Sequence, residues 1–544
     1  MKNRILLVLL YIFSTTLQAQ LDKVWEFTLE GNGITPFSYD TRFRPYLETF
    51  ETSDGDFITI SAKRIMTPVP YTTIYVFRFS PEGEVKWEYE YESIYKIEDK
   101  IHDIVMDSND NMYIGAETTT KYTGGFEPQS SSNALILKIS SQGELLWSNE
   151  SASPPENWFV TQSCNGVDVD NEGNLYSVMK IIDSAQIKTL IEKRDSQGNL
   201  IWQNAIPTRY LVNLQIAKSR LVVISSYNET EIYHLNLTDG QIVFTQEIPK
   251  VSATKPSFDN DGNWFNIYPT GKFKIDKRNI FGDTLWSFHY PTNLPGNVFA
   301  DEIEDVCLNA DGSIIVTGRH YGPYYGDTTS YSNCDVLTIK LDKNGIPIWT
   351  TRYQFNDLRS CQVGKKVLSN EKDFTFVGGY QSVRNGADPY ASSDMLILVY
   401  DSGGNLIDST YYDEPDGKDD NGVNLVLKEN SLYLLGWTEQ NDSLFDQTVV
   451  KYSYGYVLQT EDEKHYNFKI FPNPTFSDEL NLLCEENPLS ATLIDITGRP
   501  IFESQNIHCN SKIQLPFNLL SGCYYLQLQW PFATTITPVM IMAR

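Results

Sequence analysis

The side chains in this chain best suited to metal binding, proton transfer or nucleophilic attack are six histidines (His102, His234, His289, His320, His465 and His508) and seven cysteines (Cys164, Cys307, Cys334, Cys361, Cys484, Cys509 and Cys523). The histidines are isolated from one another in sequence, and no His-Glu-x-x-His pair, Gly-x-Ser-x-Gly elbow or Gly-Lys-Ser/Thr phosphate loop occurs. No cysteine pair has zinc spacing, and an odd number leaves at least one thiol unpaired within a monomer; spacing alone leaves the pairing open. Asp168, Asp170, Glu172 and Gly173 match the opening of a calcium loop, but the twelfth position is Met179 where a bidentate Glu is required, so the run reads as a hairpin turn. The carboxylate-crowded stretch from Asp413 to Asn421 is a better place for loosely bound calcium. No catalytic or metal-binding residue is assigned.

Recognition is the chemistry that remains. The segment Arg319-His320-Tyr321-Gly322-Pro323-Tyr324-Tyr325-Gly326-Asp327 and, farther on, Tyr390 combine flat apolar rings with hydroxyl groups, a pairing suited to gripping sugars or protein surfaces. Tyr321, Tyr324, Tyr325 and Tyr390 are therefore the candidate ligand-binding residues, with His320 and Arg319 as polar neighbours.

The elements that must carry these loops come from a repeat. Its clearest form runs from Ala134 to Trp147, an apolar alternating strand entering a polar turn with Gly143 four residues before Trp147. The same spacing recurs as Gly83 to Trp87, Gly198 to Trp202, Gly240 to Phe244, Gly282 to Trp286 and Gly345 to Trp349, and decays around Gly403-Gly404. Each instance predicts a β-hairpin whose Gly takes positive φ. Upstream of each lies a second tight turn, as in Asp170-Asn171-Glu172-Gly173 and Asp259-Asn260-Asp261-Gly262, giving four strands per unit. Four-stranded units repeated in this way predict an all-β chain built as a β-propeller of eight blades, with seven as the alternative. The last unit lacks its aromatic, and Lys23-Val24-Trp25-Glu26-Phe27 supplies an orphan strand to complete it. The body resembles bacterial β-propeller repeats of the SBBP type.

In such a unit the tight turns join the first to second and third to fourth strands on one face. The long insertions Glu117 to Asn133, Arg319 to Asn333, Tyr380 to Ser393 and Thr438 to Phe445, and the stretch Glu150 to Gln162 between units, fall on the other. Loops held by a rigid scaffold commonly carry function. The Gly-x-x-x-Trp hairpins are also similar to those of quinoprotein dehydrogenases, but the vicinal disulfide typical of that family has no counterpart among these dispersed cysteines.

The tail has a different pattern: short alternating strands punctuated by Phe471-Pro472-Asn473-Pro474, by Asp495-Ile496-Thr497-Gly498 and by Ser521-Gly522-Cys523-Tyr524-Tyr525. This predicts a small immunoglobulin-like β-sandwich. The motifs resemble the type A C-terminal sorting domain of type IX secretion substrates, and the resemblance makes Pro472, Asn473, Pro474, Asp495, Gly498, Gly522 and Tyr524 the sorting-motif residues and the type IX machinery a partner. At the other end, Lys2 and Arg4 precede an apolar run from Ile5 to Phe13, with a cut expected after Ala19. No Cys follows the cut to take a lipid anchor, the leader run is itself too short to span a bilayer, and no stretch of eighteen apolar residues occurs elsewhere. A formal charge of -27 excludes nucleic acid and anionic lipid as general partners. The expected organisation is a signal peptide at 1–19, a propeller at 20–460, a linker at 461–466 and the sorting domain at 467–544. The reading is of a binding module, passed through the periplasm to the outer surface or the medium, for an extracellular glycan or protein. The alternatives are a hydrolase or lyase acting in the central funnel, and a structural spacer.

Overall fold

The computed structural model describes all residues except 1–15, 30–46, 66–70, 124–128, 153–159, 183–186, 208–210, 227–228, 250–256, 260, 269–272, 291–300, 323–332, 355–359, 384–391, 414–417, 442–443, 460–467, 476–477, 485–486, 496–498, 506, 517–518, 531–533 and 543–544. Every regular element among the described residues is a β-strand. The chain divides into two compact units, one of Ala19–Gly455 and one containing Tyr456–Arg544 together with the first eighteen residues.

The larger unit is propeller-like, a succession of antiparallel four-stranded meanders. We number them sheets 1 to 8, covering 47–91, 99–150, 161–206, 211–249, 257–289, 302–353, 360–412 and 420–459. Three strands of sheet 8 come from its own segment; Thr16–Leu29 pairs with Leu444–Gln459 as the fourth. Within a sheet the strands differ as burial requires. Tyr71–Phe79, the third strand of sheet 1, is buried on both faces and mostly apolar, whereas Val85–Tyr91, the fourth, alternates Trp87, Tyr89 and Tyr91 inward with Lys86, Glu88 and Glu90 outward.

Neighbouring sheets share apolar cores. Sheets 1 and 2 meet through Ile58, Ile60, Ile74, Val76, Ile114 and Leu137, and sheets 8 and 1 through Tyr433, Leu435, Trp437, Phe57, Phe77 and Phe79. A relay at the third-to-fourth turns locks most of the sheets to the next. At Gly143, Gly198, Gly345 and Gly404 the backbone has positive φ, and a Cβ there would lie within 3 Å of Trp87, Trp147, Trp286 and Trp349 of the preceding sheet. Glycine is thus required twice, for the turn conformation and for the close approach of the indole. The indole N–H groups of Trp87 and Trp147 donate to the carbonyls of Ser141 and Ser196 in that next turn, at 3.0 and 3.1 Å.

The sequence repeat contains a second member of the relay that its Gly-to-Trp spacing does not reveal: a basic residue near the end of the third strand. Arg78, Lys138 and Lys193 each reach a turn carbonyl of the following sheet, those of Ser141, Ser196 and Leu237. Lys138 and Lys193 do so while lying over Tyr113 and Tyr176 of the second strand, at 4.7 and 4.9 Å from the ring centroids. The relay continues from sheet 8 to sheet 1, where Trp25 lies against Gly83 and Lys451 donates to the Pro81 carbonyl at 2.8 Å. Sheet 7 lacks the aromatic, and Asp408 in its place accepts from the Leu21 N–H at 2.7 Å.

Sheet 4 breaks the pattern: His234 occupies the basic position and stacks on Phe244, centroids 4.0 Å apart. The ring is fully buried, and desolvation, helped by nearby Arg220, lowers its pKa to about 4. An unfolded histidine titrates near its ordinary 6.5, so the unfolded chain takes up more protons between these values. Stability is complete above about pH 6.5 and falls as pH drops toward 4, by about 3 kcal/mol from this group. His234→Phe should flatten that part of the curve when unfolding midpoints of the two proteins are compared across pH. The comparison is needed because Asp99, raised by burial to about 6, titrates in the same window with the opposite sign.

The smaller unit consists of a three-stranded sheet (Phe468–Phe471, Glu479–Cys484, Ser511–Gln514) and a four-stranded one in the order Pro500–Gln505, Ser490–Ile494, Gly522–Gln529, Thr534–Ile541. Leu480, Leu482 and Ile513 of the first meet Leu493, Leu526, Leu528 and Val539 of the second in one core, beside Trp530. A disulfide joins Cys484 to Cys509.

Candidate functional site

The candidate loops leave from one end of the sheets, between second and third strands. The strands run farther into the insertions than the sequence reading expects. In sheet 2 the ladder continues to Thr123 opposite Gln129, and in sheets 6 and 7 it reaches Gly322 opposite Asn333 and Ser382 opposite Ser393. Thr, Tyr and Ser in these stretches suit a half-exposed ladder as well as a loop.

In sheets 6 and 7 these ends lie beside each other. Cys334, opposite Tyr321 in the ladder, forms a parallel bridge and a disulfide with Cys361, Cα atoms 4.4 Å apart. Sheets 2 and 3 meet in the same way at Ser132 and Thr161, where the Ser132 hydroxyl donates to the Gln162 carbonyl in place of a covalent bond.

Around this staple the named residues take distinct roles. His320 is buried, its Nδ1 2.9 Å from an oxygen of Asp301 and its ring edge-on to Tyr290, and the same Asp301 oxygen accepts the Tyr321 N–H. Arg319 is held by Glu302 through its Nε at 2.9 Å and lies 5.5 Å from the Tyr321 ring centroid. Burial opposes its charge, but Glu302 outweighs that and holds the guanidinium pKa above its usual value. Burial also pushes the Tyr321 phenol up, against the pull of Arg319. His320 and Arg319 thus brace the strand end, and Tyr321 is the partly exposed member. Tyr324, Tyr325 and Tyr390 lie outside the described residues.

Sequence reasoning missed the companions of this cluster. Lys365 binds Glu304 across the two sheets at 3.0 Å and lies over Tyr380 at 5.9 Å. One residue on, Lys366 stands 3.8 Å from Asp305 of sheet 6 and 4.0 Å from Glu48 of sheet 1, and these carboxylates, Asp305 foremost, raise its pKa. The available signal was the density of charge in Glu302, Glu304, Asp305, Lys365 and Lys366, on strands that are the first of their sheets. On the opposite end, Asp170 spends its carboxylate on the Glu172 and Asn174 amides, at 3.0 and 2.8 Å, as a turn residue does. Among the described residues no group of three or more His, Cys, Asp or Glu side chains is placed to hold a metal ion. Of the acidic stretch Asp413 to Asn421, residues 414–417 lie outside the described part.

In the smaller unit the motif residues have structural tasks. Asn473 donates to the Pro538 carbonyl at 2.7 Å and accepts the Met540 N–H at 2.9 Å, so its amide fastens the proline corner to the last strand. Asp495 caps the hairpin to Pro500–Gln505 by accepting the Arg499 N–H at 3.0 Å. Gly522 opens its strand, and Tyr524 packs against the core while its hydroxyl donates to the Leu520 carbonyl at 2.9 Å. Gly498 lies outside the described residues.

No curated protein matches the sequence. Among solved structures the chain is similar to the C-terminal WD40 domain of Sif2, with 10% identity, 79% of this chain and 97% of that one covered, and a TM-score of 0.43. It is also similar to the quinohemoprotein alcohol dehydrogenase ADHIIG from Pseudomonas putida HK5, with 9% identity, 84% and 78% covered, and a TM-score of 0.45. A europium-containing methanol dehydrogenase gives 8% identity, 80% and 93% covered, and a TM-score of 0.39. A family model described as the secretion system C-terminal sorting domain matches residues 469–541, the segment in which the Pro-Asn-Pro corner, the Asp495 hairpin and the Gly522 strand are assembled. The C-terminal unit of this protein is therefore a type IX sorting domain, and the chain that carries it is exported to the cell surface or secreted.

Proposed function

We propose that the eight sheets close as an eight-bladed propeller, with Thr16–Leu29 as the outer strand of the last blade, and that this propeller is an exported binding module for an extracellular glycan or protein. The closure is supported by the relay, which passes from sheet 8 to sheet 1 through Trp25 on Gly83 and Lys451 on Pro81. The binding function rests on one observation: the second-to-third connection of sheet 6 springs from a strand end that the Cys334–Cys361 disulfide ties to the first strand of sheet 7, with Tyr321 at its base. A covalent brace lowers the ordering cost of whatever that connection grips. At the other end the described turns between strands are tight, and carboxylates such as Asp170 and Asp259 accept from amides of their own turns.

Replacing Tyr321, Tyr324 and Tyr325 together by Ala should abolish binding on a glycan array or to a captured surface protein, with the melting temperature nearly unchanged. Asp261→Ala and Asn174→Ala, on the opposite end, should leave affinity intact. Loss of binding from the second pair alone would place the ligand on the wrong face for this reading.

A further inference from the structure

We propose that one end of the outer face of the four-stranded sheet in the sorting domain, the part around Tyr525 and Met540, is the surface by which the export machinery holds this protein, and that this patch takes an apolar, uncharged protein surface. The inference rests on the reading of residues 469–541 as a sorting domain and assigns a place on it.

Residues directly opposite one another in antiparallel strands share a face. One such row crosses the whole sheet: Pro500 opposite Ile494, Ile494 opposite Tyr525, and Tyr525 opposite Pro538. The next pair along the same face is Cys523 opposite Met540. Their chain neighbours Leu493, Leu526 and Val539 point the other way and are fully buried, whereas Tyr525 and Met540 are 40% and 44% exposed. No residue of the row or of the Cys523–Met540 pair carries a charge, in a protein whose formal charge is -27. Exposed apolar residues gathered on one sheet face of a soluble unit mark a contact site.

The row is also where three segments distant in sequence meet. Ile494 precedes Asp495 of the capped hairpin, Tyr525 belongs to the strand opened by Gly522, and Pro538 and Met540 are the residues to which Asn473 fastens the proline corner. Each motif has a structural task of its own, yet their common product is this one face. The free edge of the last strand is occupied from Asn473 to Thr475: the Thr475 N–H donates to the Met540 carbonyl, and the Met542 N–H donates to the Thr475 carbonyl. With that stretch of edge closed, a partner that touches Met540 meets it on the face.

The test uses the full chain in its own secreting cell. Tyr525→Asp and Met540→Glu should each cut the protein reaching the surface or medium by about tenfold, with matching accumulation in the periplasm, because a charge placed at the centre of an apolar contact behaves as a hot-spot loss. Purified proteins should melt as the wild type does. Leu483→Glu, on an exposed apolar position of the other sheet, should be exported normally. If Tyr525→Asp lowers the melting temperature, Tyr525→Ser supplies the same comparison without a buried charge. Normal export of folded Tyr525 and Met540 variants, or equal retention of Leu483→Glu, overturns the assignment. A chain lacking 467–544 separates the two levels: if it too is exported, the sorting reading itself falls, whereas its retention beside normal export of the face variants removes only the face.

Discussion

Removing Gln20 to Leu29 should lower the melting temperature of the propeller and make it prone to aggregate. The segment contributes Trp25, Phe27 and Leu29 to a cluster with Leu47, Phe57, Phe77, Phe79 and Tyr433. Trp25 stacks on Phe27 at 5.6 Å, and Phe27 meets Phe79 edge-on at 5.5 Å. Loss of the Trp alone costs roughly 3–5 kcal/mol, and the cavity left against Gly83 cannot collapse because that turn is held by its own hydrogen bonds. The deletion also uncovers one side of Leu444–Gln459, a sixteen-residue strand, as an unpaired edge. Trp25→Ala should reproduce the loss of stability without the exposed edge, so comparing aggregation of the two separates packing from strand pairing. An unchanged melting temperature in the deletion would mean that sheet 8 completes itself without the N-terminal strand.

The second large effect is on destination. A chain ending at Tyr466 should remain in the periplasm with its propeller folded. The sorting domain has its own core in Leu480, Leu493, Leu526, Trp530 and Val539, so its removal takes no side chain from the cores of sheets 1 to 8. Fractionation of cells and medium, with a melting curve of the truncated protein, reads both parts. Normal appearance in the medium would remove the address.

What the sequence made legible follows from which interactions are local. The Gly-to-aromatic spacing is set by a hairpin of a few residues, so the turns at Gly143, Gly198, Gly240 and Gly345 were readable one by one, and their positive φ values follow. The three tail motifs were readable for the same reason. The orphan strand at Trp25 is legible only from the strand count of the last unit, since nothing local distinguishes it from any other amphipathic segment. Its partner is a strand hundreds of residues away. The basic residue of the relay went unread because Lys138 or Lys193 in a strand looks like an ordinary solvated charge until the next sheet supplies a carbonyl. The site suffered most. His320 and Arg319 read as polar neighbours of a ligand, but Asp301, just before the preceding strand, and Glu302, its first residue, claim them. The pairing of Cys334 with Cys361 required knowing that two sheets are joined at that height.

The pairing of Thr16–Leu29 with Leu444–Gln459 also sets a timetable. Thr28 and Thr448 share a hydrogen bond across 420 residues of chain, so this strand is made long before its partner and is the last to find its place. Each doubling of a loop costs only about 0.6 kcal/mol in closure entropy, so the separation weighs little on final stability and heavily on order of assembly. While synthesis continues, sheets 1 to 7 can stack in turn, each on a finished neighbour, but Trp25 and the strand bearing it wait with apolar side chains uncovered. That interval is when the nascent chain is most exposed to misassociation, and a holding factor that covers this strand until residue 459 has emerged would protect every later step.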